Sequence, residues 1–200
     1  MRKLGLLFSF LLLISFSSTF GTTPYVMSTG NYSESFSDIV NWTNGFAAGT
    51  GAQYWGGVAV NATGAIPDGI KTTATTATFA TSGSSGGVQR GSLSGNVAGT
   101  IVQLSTGTTD NTTSNAIDLF LDFSGRTAGT LSFSWAEVNN GSGDRHSSLK
   151  VYGSTDGVTF TEITGTGLPI NVTNNVASSG TISTVTLPTS FNGTSTARIR

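Results

Sequence analysis

AIDLFLDFSGRTAGTLSFSWAEV, residues 116–138, decides the fold class. Ile117, Leu119, Leu121 and Phe123 alternate with Asp118, Phe120 and Asp122. Leu131, Phe133 and Trp135 then alternate with Ser132, Ser134 and Ala136. A strand turns successive side chains to opposite faces, so each odd-numbered apolar set shares one face. That face belongs in a core and the other in water, as antiparallel sheets permit. SGRTAG, 124–129, carries glycine near both ends and predicts a hairpin loop between the two strands.

The same texture extends along the chain. Short runs rich in Val, Ile, Thr and aromatics alternate with Gly, Asn, Asp and Ser clusters, the mark of an all-β sandwich or barrel. Strands are expected in YSESF (32–36), YWGGVAV (54–60), IKTTATTATFAT (70–81), TIVQLST (100–106), ISTVTL (182–187) and TARIR (196–200). The Thr-rich run from residue 70 reads as a strand followed by a loop, because Thr is a strong strand former. Helical signal is confined to SDIVNW (37–42), one turn with Ser37 as N-cap. No repeat of ~20–50 residues recurs, which disfavours solenoids and propellers.

SLKVYGSTDGVTFTEI, 148–163, reads as a second hairpin. Leu149 and Val151 share one face, Lys150 and Tyr152 the other, and Val158 with Phe160 lies on one face of the return strand. Asp156 and Gly157 supply the positive-φ tolerance and side-chain-to-backbone bonding of a tight turn. Ser-x-Asp followed by Gly and an aromatic also resembles the Asp-box hairpin of sialidase-type propellers, where the Asp fastens its own turn. The single copy here is a residue short of that spacing, so Asp156 and Gly157 are structural turn residues first.

MRKLGLLFSFLLLISFSSTFG, 1–21, has the three parts of a secretory signal peptide. Arg2 and Lys3 precede an apolar run of about 13 residues, within the ~7–15 expected and short of the ~20 of a membrane span. Small residues at Thr19 and Gly21 favour cleavage after Gly21, with Ser18 as a second site. Residues 22–200 then form one β-sandwich module, large enough to bury a core without covalent staples. The chain stops at Arg200 inside an alternating strand, so one or two closing strands are expected beyond it.

Composition removes several chemistries. There is no cysteine, hence no disulfide, thiolate zinc site or thiol nucleophile. Charged residues make up 10%, against a usual ~25%. Loss of Arg2 and Lys3 takes the 9 basic residues to 7 against 10 acidic ones, a net charge of −3. Nothing forms the basic stripe of a nucleic-acid binder. His146 is the single histidine and sits in a loop before a strand, which disfavours a triad or a multi-histidine metal site. Asp118 and Asp122 would lie about 13 Å apart along one strand, beyond the ~5–9 Å of glycosidase carboxylates. Glu137 on the next strand is the one acid that would approach them; solvated strand-face carboxylates are expected.

Three aromatics suggest a sugar platform. Tyr54 and Trp55 precede two glycines that would let a ligand approach, and Trp42 lies near an early turn. Burying a Trp adds large apolar area, so a core role competes, and Trp135 belongs to the core by its parity with Phe133 and Leu131. The seven Asn-x-Ser/Thr sequons, among them Asn41, Asn61, Asn171 and Asn192, match chance in a chain so rich in these residues and are not read as glycosylated.

YSESFSDIVNW, the run from STGTTDNTTSNAIDLFLDF through VYGSTDGVTFTEI, and the closing ARIR together resemble a β-sandwich module found near the N-terminus of large secreted bacterial proteins. Those proteins are exported by the type IX secretion system and carry a C-terminal sorting domain. The resemblance covers about residues 30 to 200 and extends to jelly-roll, galactose-binding-like and MAM-like sandwiches. It implies display or attachment at the cell surface. Jelly rolls of the carbohydrate-binding kind often hold a calcium ion near their first and last strands, which take oxygen ligands. Glu34 occupies such a place, its partner carboxylate expected beyond residue 200, and Asp110 with Asn111 offers a second loop site. Neither has an EF-hand or RTX pattern.

The expectation is therefore an all-β, antiparallel, two-sheet jelly-roll-like sandwich without catalysis. It would be secreted or surface-bound, within a larger protein, serving adhesion or presentation with weak binding to a polysaccharide or cell-envelope glycan. The alternative is the accessory domain of a secreted hydrolase whose catalytic part follows residue 200.

Overall fold

The structure, a computed structural model, describes residues 23–36, 54–59, 70–75, 87–91, 100–104, 115–137, 148–173 and 175–200. The fold is all-β, with no α-helix among the described residues. In chain order the strands are β1 (Tyr25–Val26), β2 (Trp55–Ala59), β3 (Ile70–Thr75), β4 (Gly87–Gly91), β5 (Thr100–Leu104), β6 (Asn115–Asp122), β7 (Thr130–Glu137), β8 (Ser148–Leu149), β9 (Tyr152–Ser154), β10 (Thr161–Glu162), β11 (Ile170–Asn171), β12 (Ser178–Thr186) and β13 (Ala197–Ile199). Single 3-10 turns stand at Met27–Thr29 and Thr189–Phe191.

β6 is the axis. Leu119 pairs with Trp55 of β2 on one edge and Ile199 of β13 on the other. Leu121 pairs with Tyr25 of β1 and Ala197 of β13. β1 and β2 therefore share one edge of β6 end to end, while β13 carries the sheet on through β9 to β10. β12 and β7 form a ribbon with a bulge between Ile182 and Val185. β11 pairs with β8, and β3, β4 and β5 form a three-stranded sheet. Pairing is mostly antiparallel; β1–β6 and β3–β4 run parallel.

One apolar cluster joins the six-stranded sheet, the β12–β7 ribbon and the β11–β8 pair. The six-stranded sheet contributes Leu119, Leu121, Ala197 and Ile199, β12 contributes Ile182 and Val185, and the connections contribute Phe123 and Phe191. Both phenylalanines are 1% exposed and their rings lie 5.9 Å apart. Burying each such side chain is worth about 1.5–3 kcal/mol. β7 keeps its predicted alternation: Leu131, Phe133 and Trp135 pack against the cluster, while Thr130, Ser132, Ser134 and Ala136 are exposed.

Several expectations need correction. Residues 124–129 do not make a hairpin, because β6 and β7 belong to different sheets. The segment crosses between them and is tied at both ends: the Gly193 N–H donates to the Arg126 carbonyl, and the Ala128 N–H donates to Asn192 Oδ1. Alternation fixes which face is buried but not which strand lies alongside. The polar face of β6 is wet only toward its end: Asp118 is 1% and Ala116 7% exposed, whereas Asp122 lies at the surface. Residues 32–36 form no strand. The return strand of the 148–163 hairpin starts at Thr161, leaving a six-residue loop in which Val158 is 84% exposed.

Candidate functional site

Two surfaces concentrate side chains capable of recognition. The first gathers Tyr25, Tyr32, Tyr54, Trp55 and Phe36. The rings of Tyr25, Tyr32 and Tyr54 pack edge to face, with centroids 5.1, 5.3 and 5.9 Å apart. Trp55 lies 6.4 Å from Tyr32 and 5.8 Å from Phe36. Its position opposite Leu119 puts it on the core side of the sheet. Its indole N–H donates to the Tyr32 hydroxyl at 2.7 Å, and that hydroxyl donates to Glu34 Oε2 at 3.2 Å. Glu34 Oε1 accepts the Phe36 N–H at 2.7 Å, holding the loop where Phe36 takes φ 55°. Burial, followed by the negative charge of Glu34, pushes the Tyr32 phenol well above the ordinary tyrosine range.

This arrangement bears on two sequence expectations. Tyr54 and Trp55 are close, as a platform requires, but both are half-buried and packed against the core, and the polar edge of Trp55 is spent on Tyr32. Glu34, put forward for calcium, uses both oxygens on its own loop. Among the described residues no group of three or more His, Cys, Asp or Glu side chains is placed to hold a metal ion. Trp42, Asp110, Asn111, His146 and the 1–21 segment lie outside the described residues.

The second surface went unnoticed in the sequence. A groove of about 490 Å³ runs between the β9–β10 hairpin and the turn that follows β12. Thr155, Asp156, Thr159, Thr161, Glu162 and Ser190 line it together with the buried Ile163 and Phe191. Its two walls are some thirty residues apart in sequence, and nothing in TFTEI or TLPTSF announces that they meet.

The hairpin loop on the rim is stiff for a chemical reason. Asp156 Oδ1 accepts the Val158 N–H at 2.8 Å, the Thr159 N–H at 2.7 Å and the Ser154 hydroxyl at 2.9 Å. Ser154 Oγ in turn accepts the Gly157 N–H at 2.8 Å, and Gly157 adopts φ 71°. These donors hold the Asp156 carboxyl at about 2, below its ordinary 3.8.

The remaining described carboxylates are engaged too. Asp118 takes two bonds from Arg200, Asp122 accepts the Ser124 N–H, Glu137 accepts the Ser178 hydroxyl and Glu162 pairs with Lys150 at 3.3 Å. Compared with protein-family models, curated proteins and solved structures, the chain gives no match. Among the described residues no helix is long and apolar enough to cross a membrane.

Proposed function

We propose that this chain is a non-catalytic, secreted β-sandwich module of the jelly-roll kind that attaches or presents a larger surface protein, with weak binding to a glycan. The observation that carries this reading is the state of the acids among the described residues: Glu34, Asp118, Asp122, Glu137, Asp156 and Glu162 all have structural partners. Such a set favours a scaffold over an acid–base centre. The apolar run behind Arg2 and Lys3 supports export, and the resemblance to type IX-exported modules supports display. The hydroxyl-lined groove supports a ligand rich in hydroxyls, because polar groups set at fixed positions in a concavity give orientation and specificity.

The secreted chain incubated with a panel of insoluble polysaccharides should be retained on at least one. Thr161→Ala or Glu162→Gln should weaken retention, and Trp55→Ala should act through stability. Equal recovery in every supernatant would reduce the module to a spacer. Sequencing the secreted protein should return Thr22 as its first residue; a chain starting at Met1 and staying with cells would remove the export reading.

A further inference from the structure

Three arginines have described side chains, and they are used differently. Arg126 donates to the Met27 carbonyl and to Asn31 Oδ1. Arg200 is neutralised by Asp118. Arg198 stands on β13 opposite Phe120 of β6 and Ser154 of β9. Its guanidinium carbon lies 4.8 Å from the centre of the Phe120 ring. It also rests against the backbone of Gly157, so closely that a Cβ there would collide with Cζ, Nη1 and Nη2. Among the described residues no carboxylate pairs with it and no acceptor takes its N–H groups. The neighbouring acids are committed elsewhere, Asp156 to its own loop and Asp122 to Ser124.

A half-exposed arginine with no acidic partner would ordinarily sweep through many rotamers. Here the aromatic ring and the glycine hold the planar head in place while its donors stay unspent. Guanidinium matches a carboxylate through two parallel bonds, a geometry that lysine cannot supply. Prior immobilisation lowers the ordering cost of binding. Gly157 therefore has two roles: it takes the positive φ of the loop, and its missing side chain makes the berth for Arg198.

We propose that Arg198, berthed on Gly157 and Phe120, is a recognition fork for the carboxylate of an acidic polysaccharide, a uronic-acid unit being the simplest. The inference rests on the glycan-binding function proposed above; Arg198 does not line the groove, but its berth on Gly157 adjoins Asp156 on the rim, so it adds a carboxylate contact beside the groove and assigns the chemical class of the glycan. The contact is a local attraction on a chain of net negative charge, and added salt screens both that attraction and the repulsion between the chain and a polyanion.

The test measures binding of the secreted chain to polygalacturonate, neutral dextran and poly-glutamate at low and moderate salt. The expected result is binding to polygalacturonate in preference to dextran at both salt concentrations. Arg198→Gln should lower the affinity by at least about tenfold, the scale of a lost charged hydrogen bond. Arg198→Lys, which retains charge and stem, should fall between, and the unfolding midpoints of both variants show that they are folded. Dextran binding equal to polygalacturonate binding overturns the inference while leaving the glycan function standing. So does polygalacturonate binding untouched in Arg198→Gln, or a preference for poly-glutamate. Failure to bind any polysaccharide overturns both.

Discussion

Arg200 and Asp118 meet across the β13–β6 ladder, with Nε 2.7 Å from Oδ1 and Nη2 3.0 Å from Oδ2. The Asp118 side chain is 1% exposed and that of Arg200 16%, and the Phe160 ring centre lies 3.5 Å from the guanidinium carbon. The two side chains bring together segments 82 residues apart in sequence and bind β13 to the axis of the sheet. Removing one partner strands the other charge away from water. Arg200→Met, which leaves the buried Asp118 carboxylate unpaired, should therefore cost about 3–5 kcal/mol. Asp118→Leu combined with Arg200→Met should cost far less than the two single changes added together, because an apolar pair leaves no orphan charge. Urea denaturation of the four proteins measures this. Strict additivity would show that the pair is not coupled.

Gly153 is tight for a different reason. It sits on β9 facing the core, and a Cβ there would come 3.0 Å from Phe191 Cζ and 3.1 Å from Ile163 Cδ1. Gly153→Ala should destabilise by about 1–3 kcal/mol through overpacking. Ile163→Val deletes the crowded methyl and alone should cost about 0.5–1.5 kcal/mol. The double variant should lose less than the sum, since each change relieves the other. A loss equal to or larger than the sum would place the strain elsewhere.

The all-β class was legible because period-2 alternation in 117–123 and 131–135 is strong and local, and the strands at 55–59, 100–104, 130–137 and 197–199 follow from it. What alternation does not contain is partnership. Leu121 and Leu131 point into one core from different sheets, and no local feature separates that from a hairpin. Asp118 looked solvated for the same reason, since its partner Arg200 lies at the far end of the chain. The Asp156–Gly157 turn could be read locally because every donor to Asp156 comes from within three residues. The aromatic cluster was half visible: Tyr54 and Trp55 stood out as a pair, but the hydrogen bond linking Trp55 to Tyr32 spans 23 residues. The groove escaped because its walls meet only in three dimensions.

The Asp156 loop should report acid. The Val158 N–H, then the Thr159 N–H and the Ser154 hydroxyl lower the folded-state carboxyl to about 2 from an ordinary 3.8. A depressed folded value means that the stabilising contribution is present above the unfolded value and is lost as pH falls through the folded one. The loss should occupy the window from about 4 down to about 2. Asp156→Asn should lower the urea midpoint at neutral pH and flatten the acid limb, so that variant and wild type converge near the bottom of that window. Parallel acid limbs would remove Asp156 as a contributor.

Tyr32 should report alkali, with the opposite sense. Burial and the charge of Glu34 raise its phenol above the ordinary 10.0, while the bond from Trp55 pulls it back. A raised folded value means that the neutral form is favoured by folding. Its contribution is complete below the unfolded value and drains away as pH climbs beyond about 10. In a tyrosinate absorbance titration, one phenol should ionise late, and Tyr32→Phe should remove that step. Glu34→Gln should bring the step to lower pH by removing a like charge, whereas Trp55→Phe should move it higher by removing a donor that stabilises the phenolate. Opposite shifts from two neighbours on the same hydroxyl separate this relay from a general loosening of the fold, which would move the step downward in both variants. A downward shift in Trp55→Phe would therefore show that the indole's packing, rather than its bond to Tyr32, governs this edge of the sheet.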